Sequence, residues 1–189
     1  MPLPAASSRR LLHMRDVQLR GYVREDGQIE IEARMTDVKS YNAPNIDRTV
    51  IAAGEMLHDM WIRMTLTPDE LEITACEAVM DATPYHICPQ TAPKMERLVG
   101  LRIGRGFLKA ASLRVGGVEG CTHLRELLQP VATTAYQTQY SLLNHTLDGG
   151  ARADRQELAP GMLNSCHSYD ENSAVVARLR AEAEIPASN

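Results

Sequence analysis

The fold turns on one stretch: Met56-Leu57-His58-Asp59-Met60-Trp61-Ile62-Arg63-Met64-Thr65-Leu66-Thr67-Pro68-Asp69-Glu70-Leu71-Glu72-Ile73-Thr74-Ala75-Cys76-Glu77-Ala78-Val79. From Met56 to Thr67, Trp61, Met64 and Leu66 are interleaved with Arg63 and Thr65, which reads as a strand. Pro68-Asp69-Glu70 turns the chain, and Leu71, Ile73, Ala75, Glu77 and Val79 continue as a partner strand. Cys76 lies inside that alternation and reads as structural. Met56, Met60 and Met64 recur at fixed spacing and are assigned no cofactor role.

Upstream, Arg15 to Arg24 carries Val17, Leu19 and Val23 at strand spacing, and Glu25-Asp26-Gly27 is a tight-turn signal. Gln28 to Val38 alternates, with Ile29, Ile31, Ala33 and Met35 on one side and Glu30, Glu32, Arg34 and Thr36 on the other. This is a second hairpin with one wet face. Ser40 to Gly54 reads as a polar connection. Downstream, Ala82 to Ala92 is irregular, Lys94 to Ile103 has helical spacing, and Gly104-Arg105-Gly106 breaks it. Phe107 to Val115 is a short helix ended by Gly116-Gly117. Thr122 then opens a long apolar-periodic run through Leu124, Leu127, Leu128, Val131, Ala135, Leu142 and Leu143, in which Pro130 predicts a kink or a restart. Gly149-Gly150 closes that region, and Asn164 to Val176 returns as a strand and turn. Strands first and helices later give an α+β fold, an antiparallel sheet of two hairpins with C-terminal helices packed on one face. Residues 11–180 form its single domain, and 1–10 and 181–189 are disordered tails.

Composition narrows the function. The chain has 189 residues, 44% hydrophobic and 23% charged, which excludes disorder of the whole chain. Lys plus Arg is 20 against 24 Asp plus Glu, and the arginines are scattered, so no basic nucleic-acid footprint exists. One Trp, one Phe and six Tyr are too few for stacking on bases. No apolar run reaches the roughly 18 residues of a membrane span, and the N-terminus lacks the apolar segment of a secretory signal. A cytoplasmic location is expected. Four cysteines (Cys76, Cys88, Cys121 and Cys166) then point to metal binding or thiol reactivity more than to disulfides.

Three stretches concentrate metal-type ligands: Gly54 to Met60 with His58 and Asp59, Pro84 to Pro89 with His86 and Cys88, and Gly117 to Leu124 with Cys121 and His123. Each lies at the end of an element beside Gly or Pro, where ligands project. No pair of cysteines has zinc-finger spacing. In the third stretch Thr122 is the expected N-cap of the following helix. Cys121 and His123 then meet the helix's exposed amides, which favour a thiolate. The bland readings stand beside these: Cys88 as a small apolar side chain, His58-Asp59 as a polar pair at a strand start, Arg125-Glu126 as a solvated pair. Cys166-His167 is a further pair that either joins the site or stays apart.

The run Gly120-Cys121-Thr122-His123-Leu124-Arg125-Glu126-Leu127-Leu128, with Tyr22-Val23-Arg24-Glu25-Asp26-Gly27, His58-Asp59-Met60 and Leu98-Val99-Gly100-Leu101, resembles an uncharacterised bacterial domain-of-unknown-function family. That resemblance covers about residues 12 to 176 through a GCTHLxELL signature and implies no activity. The order of elements is also distantly similar to the U-type iron–sulfur cluster scaffold proteins. Leu57-His58-Asp59 stands where that family has CGD, Cys88 where it has its second cysteine, and Gly120-Cys121 where it has HC. The resemblance implies Asp59, Cys88 and Cys121 as ligands; Leu57 and Gly120 depart from the family's Cys and His.

Three functions follow. The first is a metal-binding module, zinc or labile iron–sulfur, with a site drawn from His58, Asp59, Cys88, Cys121 and His123. The second is a thiol-dependent hydrolase of acyl or thioester groups, with Cys121 as nucleophile, His123 or His58 as base and Asp59 as the orienting carboxylate. The third is a partner-binding module with structural cysteines.

Overall fold

A computed structural model describes residues 3–144 and 162–184, so the expected end at Gly149-Gly150 and the last part of the C-terminal tail, 185–189, lie outside the described residues. The chain divides into two compact units, Met1–Gln139 and Tyr140–Asn189.

The first unit is α+β. Strand β1 (His13–Val23), β2 (Ile29–Lys39), β5 (Met56–Leu66) and β6 (Ile73–Ala82) form one antiparallel sheet in the order β1-β2-β5-β6. Both expected hairpins are present, joined through the central β2–β5 pair. The connection between them is not merely polar loop: β3 (Ala43–Asn45) and β4 (Thr49–Ile51) pair as a small second sheet and bury Ile51.

Alternation divides the sheet into two faces. In register, Ile29, Ile31, Ala33 and Met35 of β2 stand opposite Leu66, Met64, Ile62 and Met60 of β5, and all eight are buried. Cys76 stands opposite Met64 on the same inner face and is buried as a structural thiol, its pKa pushed up to about 12 by desolvation. The outer face is charged. There Arg63 pairs with Glu32 at 2.7 Å, and Arg34 holds both oxygens of Asp59 at 2.9 and 2.7 Å while lying over the Trp61 ring.

Helices cover the inner face. Lys94 to Ile103 is not one helix: short 3-10 turns occupy Cys88–Thr91 and Pro93–Leu98, after which Val99 turns extended and the backbone of Gly100 and Leu101 bonds to Ile73 instead of continuing a helix. Helix α1 (Phe107–Val115) follows, then α2 (Thr122–Asn144). Helix α2 continues through Pro130 without the expected restart. Burial of Leu124, Leu127, Leu128, Val131 and Ala135 along one stripe outweighs one lost backbone bond. Helix α2 runs alongside β1, from Glu126 against Arg15 to Thr138 against Gly21. Its far end is fastened by Gln139, whose amide donates to the Pro68 and Asp69 carbonyls.

In the second unit, Asn164 to Val176 forms no strand. A 3-10 turn spans His167–Tyr169 and helix α3 spans Ala174–Glu184, so residues 181–184, expected in the tail, are helical. The Ser173 side chain caps α3 by accepting from the Val176 amide.

Two glycines permit the α2 placement. A Cβ on Gly21 would lie 1.8 Å from Thr138 Oγ1, and one on Gly120 would lie 1.8 Å from the Val115 carbonyl oxygen. The Gly120 contact is with helix backbone, which cannot turn aside. Gly120→Ala is therefore expected to lower unfolding stability by about 1–3 kcal/mol, read from urea melts. An unchanged midpoint would contradict the close approach of α1 to the start of α2.

Candidate metal centre

The inner face ends in charge instead of hydrocarbon. Continuing the buried phase of β2 past Met35 brings Asp37 into it, and Asp37 is fully buried. Opposite it on β5 stands His58, also buried. A register shift at Asp37/Val38 sets the local twist beside this pair.

Asp37 is the hub. Its Oδ1 accepts from Arg15 Nε at 2.8 Å and from the His13 ring at 2.9 Å. Its Oδ2 accepts from Arg15 Nη2 at 2.8 Å and from His58 Nδ1 at 2.8 Å. The second prong of Arg15 donates to Glu126 of α2 at 2.7 Å. Thus Arg125 and Glu126 are not a solvated pair with one another: Glu126 reaches β1, and Arg125 donates to Ser112 of α1 at 3.3 Å.

Helix α2 supplies the remaining groups. The Arg125 amide donates to the Cys121 carbonyl, so the residue that opens the helix is Cys121, and Thr122, expected as the N-cap, is its first helical residue. One residue further on, His123 projects back over the sheet. Its ring centroid is 3.9 Å from that of His58, tilted by 39°. The Cys121 sulfur lies 3.9 Å from His123 Nδ1. One carboxylate oxygen of Asp37 and one ring nitrogen each of His58 and His123 all lie within 4.8 Å of one another.

Protonation follows from surroundings. Burial alone would raise the Asp37 pKa, but the hydrogen bonds from Arg15, His58 and His13 outweigh it and hold the carboxyl far below its usual range. An ionised carboxylate only accepts, so His58 carries its proton on Nδ1 and leaves Nε2 as a lone-pair nitrogen. Burial, followed by the nearness of His123, lowers the His58 pKa against the pull of Asp37. Burial and then the Arg15 charge lower that of His123. Both rings are therefore neutral at pH 7, the form that ligates metals.

The other expected residues fall as follows. Asp59 neighbours His58 in the strand and so faces the opposite side of the sheet, where Arg34 holds it; it is not in the cluster. Cys88 is half-buried in the turn before α1, its pKa raised by desolvation and, beyond an opposing backbone bond, by the charge of Cys121. Glu119, two residues before Cys121, accepts from Lys94 at 3.3 Å and Arg97 at 3.1 Å in the turn Pro93–Leu98. His86 is engaged through its amide with Asp47. Cys166 and His167 belong to the second unit, and Cys166 is exposed. The spacing of ligand types overlooked Asp37, Arg15 and His13. The period of β2 carried the missing signal, because a carboxylate in phase with Ile29, Ile31, Ala33 and Met35 must be buried and partnered.

These features define an α+β domain with a buried two-histidine, one-carboxylate cluster between sheet and helix N-terminus. The chain belongs to the family described as protein of unknown function (DUF2889), whose model matches residues 13–137. No curated protein and no solved structure matches it. No helix among the described residues is long and apolar enough to cross a membrane.

The cluster makes the metal-free fold acid-labile. Both histidines have folded pKa values below their ordinary 6.5, so the unfolded chain binds the protons first as pH falls. Their contribution is complete above about pH 6.5 and declines below it. Asp37 adds a second loss once pH falls below its ordinary 3.8. Urea midpoints of chelator-treated protein should drop between about pH 7 and pH 5, and the His58→Gln/His123→Gln double variant should flatten that slope. Equal slopes in the two proteins would mean that the rings are not buried neutrals.

Proposed function

We propose that the protein binds a divalent metal ion, zinc by ligand type, between His58, His123 and Asp37, with the Cys121 thiolate as a further ligand. The observation that carries this reading is the meeting of two imidazole nitrogens and a carboxylate oxygen within 4.8 Å. The protonation states agree, since ligation takes neutral imidazole and ionised carboxylate. Nitrogen and oxygen donors with one sulfur suit zinc better than an iron–sulfur cluster, which draws on several thiolates. The similarity to iron–sulfur scaffolds would require Asp59, which is committed to Arg34 on the other face. Four free thiols favour a reducing compartment, the cytoplasm. Two histidines and a carboxylate, with a fourth position exchanged between Cys121 and a small-molecule substrate, would suit a catalytic zinc.

A thiol-dependent hydrolase is the second reading. The 3.9 Å separation of the Cys121 sulfur and His123 Nδ1 favours it, with Cys121 as nucleophile toward an acyl group or thioester and His123 as base.

Elemental analysis of protein purified without a His-tag tests the metal reading. About one equivalent of zinc is expected in the wild type and in Asp59→Asn, and a loss of it in His58→Ala and His123→Ala. Less than about a tenth of an equivalent in the wild type, with zinc supplied, would overturn the reading. Cobalt substitution assigns Cys121: a sulfur-to-cobalt charge-transfer band that disappears in Cys121→Ser is expected. A thioesterase activity of zinc-free protein that is lost in Cys121→Ser would favour the second reading instead.

A further inference from the structure

The Asp37 carboxylate has no acceptor capacity left. A carboxylate offers about four lone-pair directions. Arg15 takes one on each oxygen, His13 another on Oδ1 and His58 another on Oδ2. A metal ion that uses Asp37 must displace one of these donors. His58 is itself a ligand of the proposed centre, but Arg15 carries a permanent positive charge that repels a divalent ion at contact.

We propose that Arg15 is a built-in competitor for the metal at Asp37: its guanidinium occupies the carboxylate in the metal-free protein and withdraws onto Glu126 when an ion enters. This rests on the reading of His58, His123 and Asp37 as a metal centre. Arg15 already holds Glu126 as well as Asp37, its Nη1 lying 2.7 Å from Glu126 Oε2, so that contact can be kept when the pair with Asp37 breaks. Glu126 stands in the second turn of α2 with its side chain 60% exposed, so it can follow the guanidinium outward. Arg15 itself sits on edge strand β1, where no further strand blocks its movement. A centre of this kind holds its ion weakly and exchanges it, because binding must break a bidentate charged pair. Metal loading and the position of Arg15 are thereby coupled, and each opposes the other by the same factor.

The two ends of the path are expected to have opposite effects on metal affinity. Zinc affinity is read by competition with a chromophoric chelator at fixed pH and salt. Arg15→Gln removes the competitor and is expected to bind zinc about tenfold more tightly than wild type. Glu126→Gln removes the resting place and is expected to bind about threefold more weakly. Arg15→Gln leaves a buried carboxylate without its strongest partner, so circular-dichroism melts of metal-free protein check that it folds. If it does not, the exposed Glu126→Gln variant decides: weaker binding supports the proposal and unchanged binding overturns it. Unchanged or weaker zinc binding by folded Arg15→Gln overturns the proposal while leaving the metal centre standing. Failure of the wild type and both variants to bind zinc overturns the metal reading and this proposal with it.

Discussion

A carboxylate taken out of water must be neutralised and hydrogen-bonded, and Asp37 imposes that demand on the structure around it. Meeting it draws in Arg15 and His13 from β1, His58 from β5 and, through Arg15, Glu126 from α2. The same network that satisfies one buried charge therefore ties the edge strand, the central strand pair and the long helix together. Removing one partner from such a group typically costs about 3–5 kcal/mol, because the others remain buried without it. The proposed metal chemistry and the fold's integrity share these atoms. That sharing is why a two-histidine cluster can be kept neutral and aimed in a domain whose other buried side chains are almost all apolar.

Much of this was legible in the sequence, and the legible part is the part governed by period. Alternation over residues 28–38 and 56–79 marked both hairpins and their buried sides, because a strand has only two faces to offer. Helical spacing marked α1 and α2. Differences arose where tertiary burial overrode local rules: α2 does not restart at Pro130, and Asn164–Val176, expected as strand and turn, forms a 3-10 turn and the start of α3. Lys94–Ile103 had the apolar spacing of a helix, but Gly100 and Leu101 bond to Ile73, and only a 3-10 turn through Leu98 formed.

The site was legible in half. His58, Cys121 and His123 do come together, because Gly120 lets α1 and α2 approach closely enough to set His123 over β5. Pairing His58 with Asp59 failed for a reason available in the sequence, since adjacent strand residues point to opposite faces. The same rule, applied to β2, selects Asp37. What no spacing rule supplies is register between strands: that Asp37 falls opposite His58 depends on how the two hairpins slide against each other. Arg15 and His13 follow only once β1 is aligned as well.

The rims of the sheet have a consequence of their own. Beside β6, the segment through Leu101 to Ile103 bonds to Ile73 and Leu71, occupying backbone groups that another strand would need. Along β1, Arg15, Asp16 and Arg20 follow one another at short intervals, so an invading polypeptide would meet dense charge. Growth by lateral addition is thus discouraged along β1 and at the start of β6, and the naked, wet β-surface is carried with little tendency to seed fibrils.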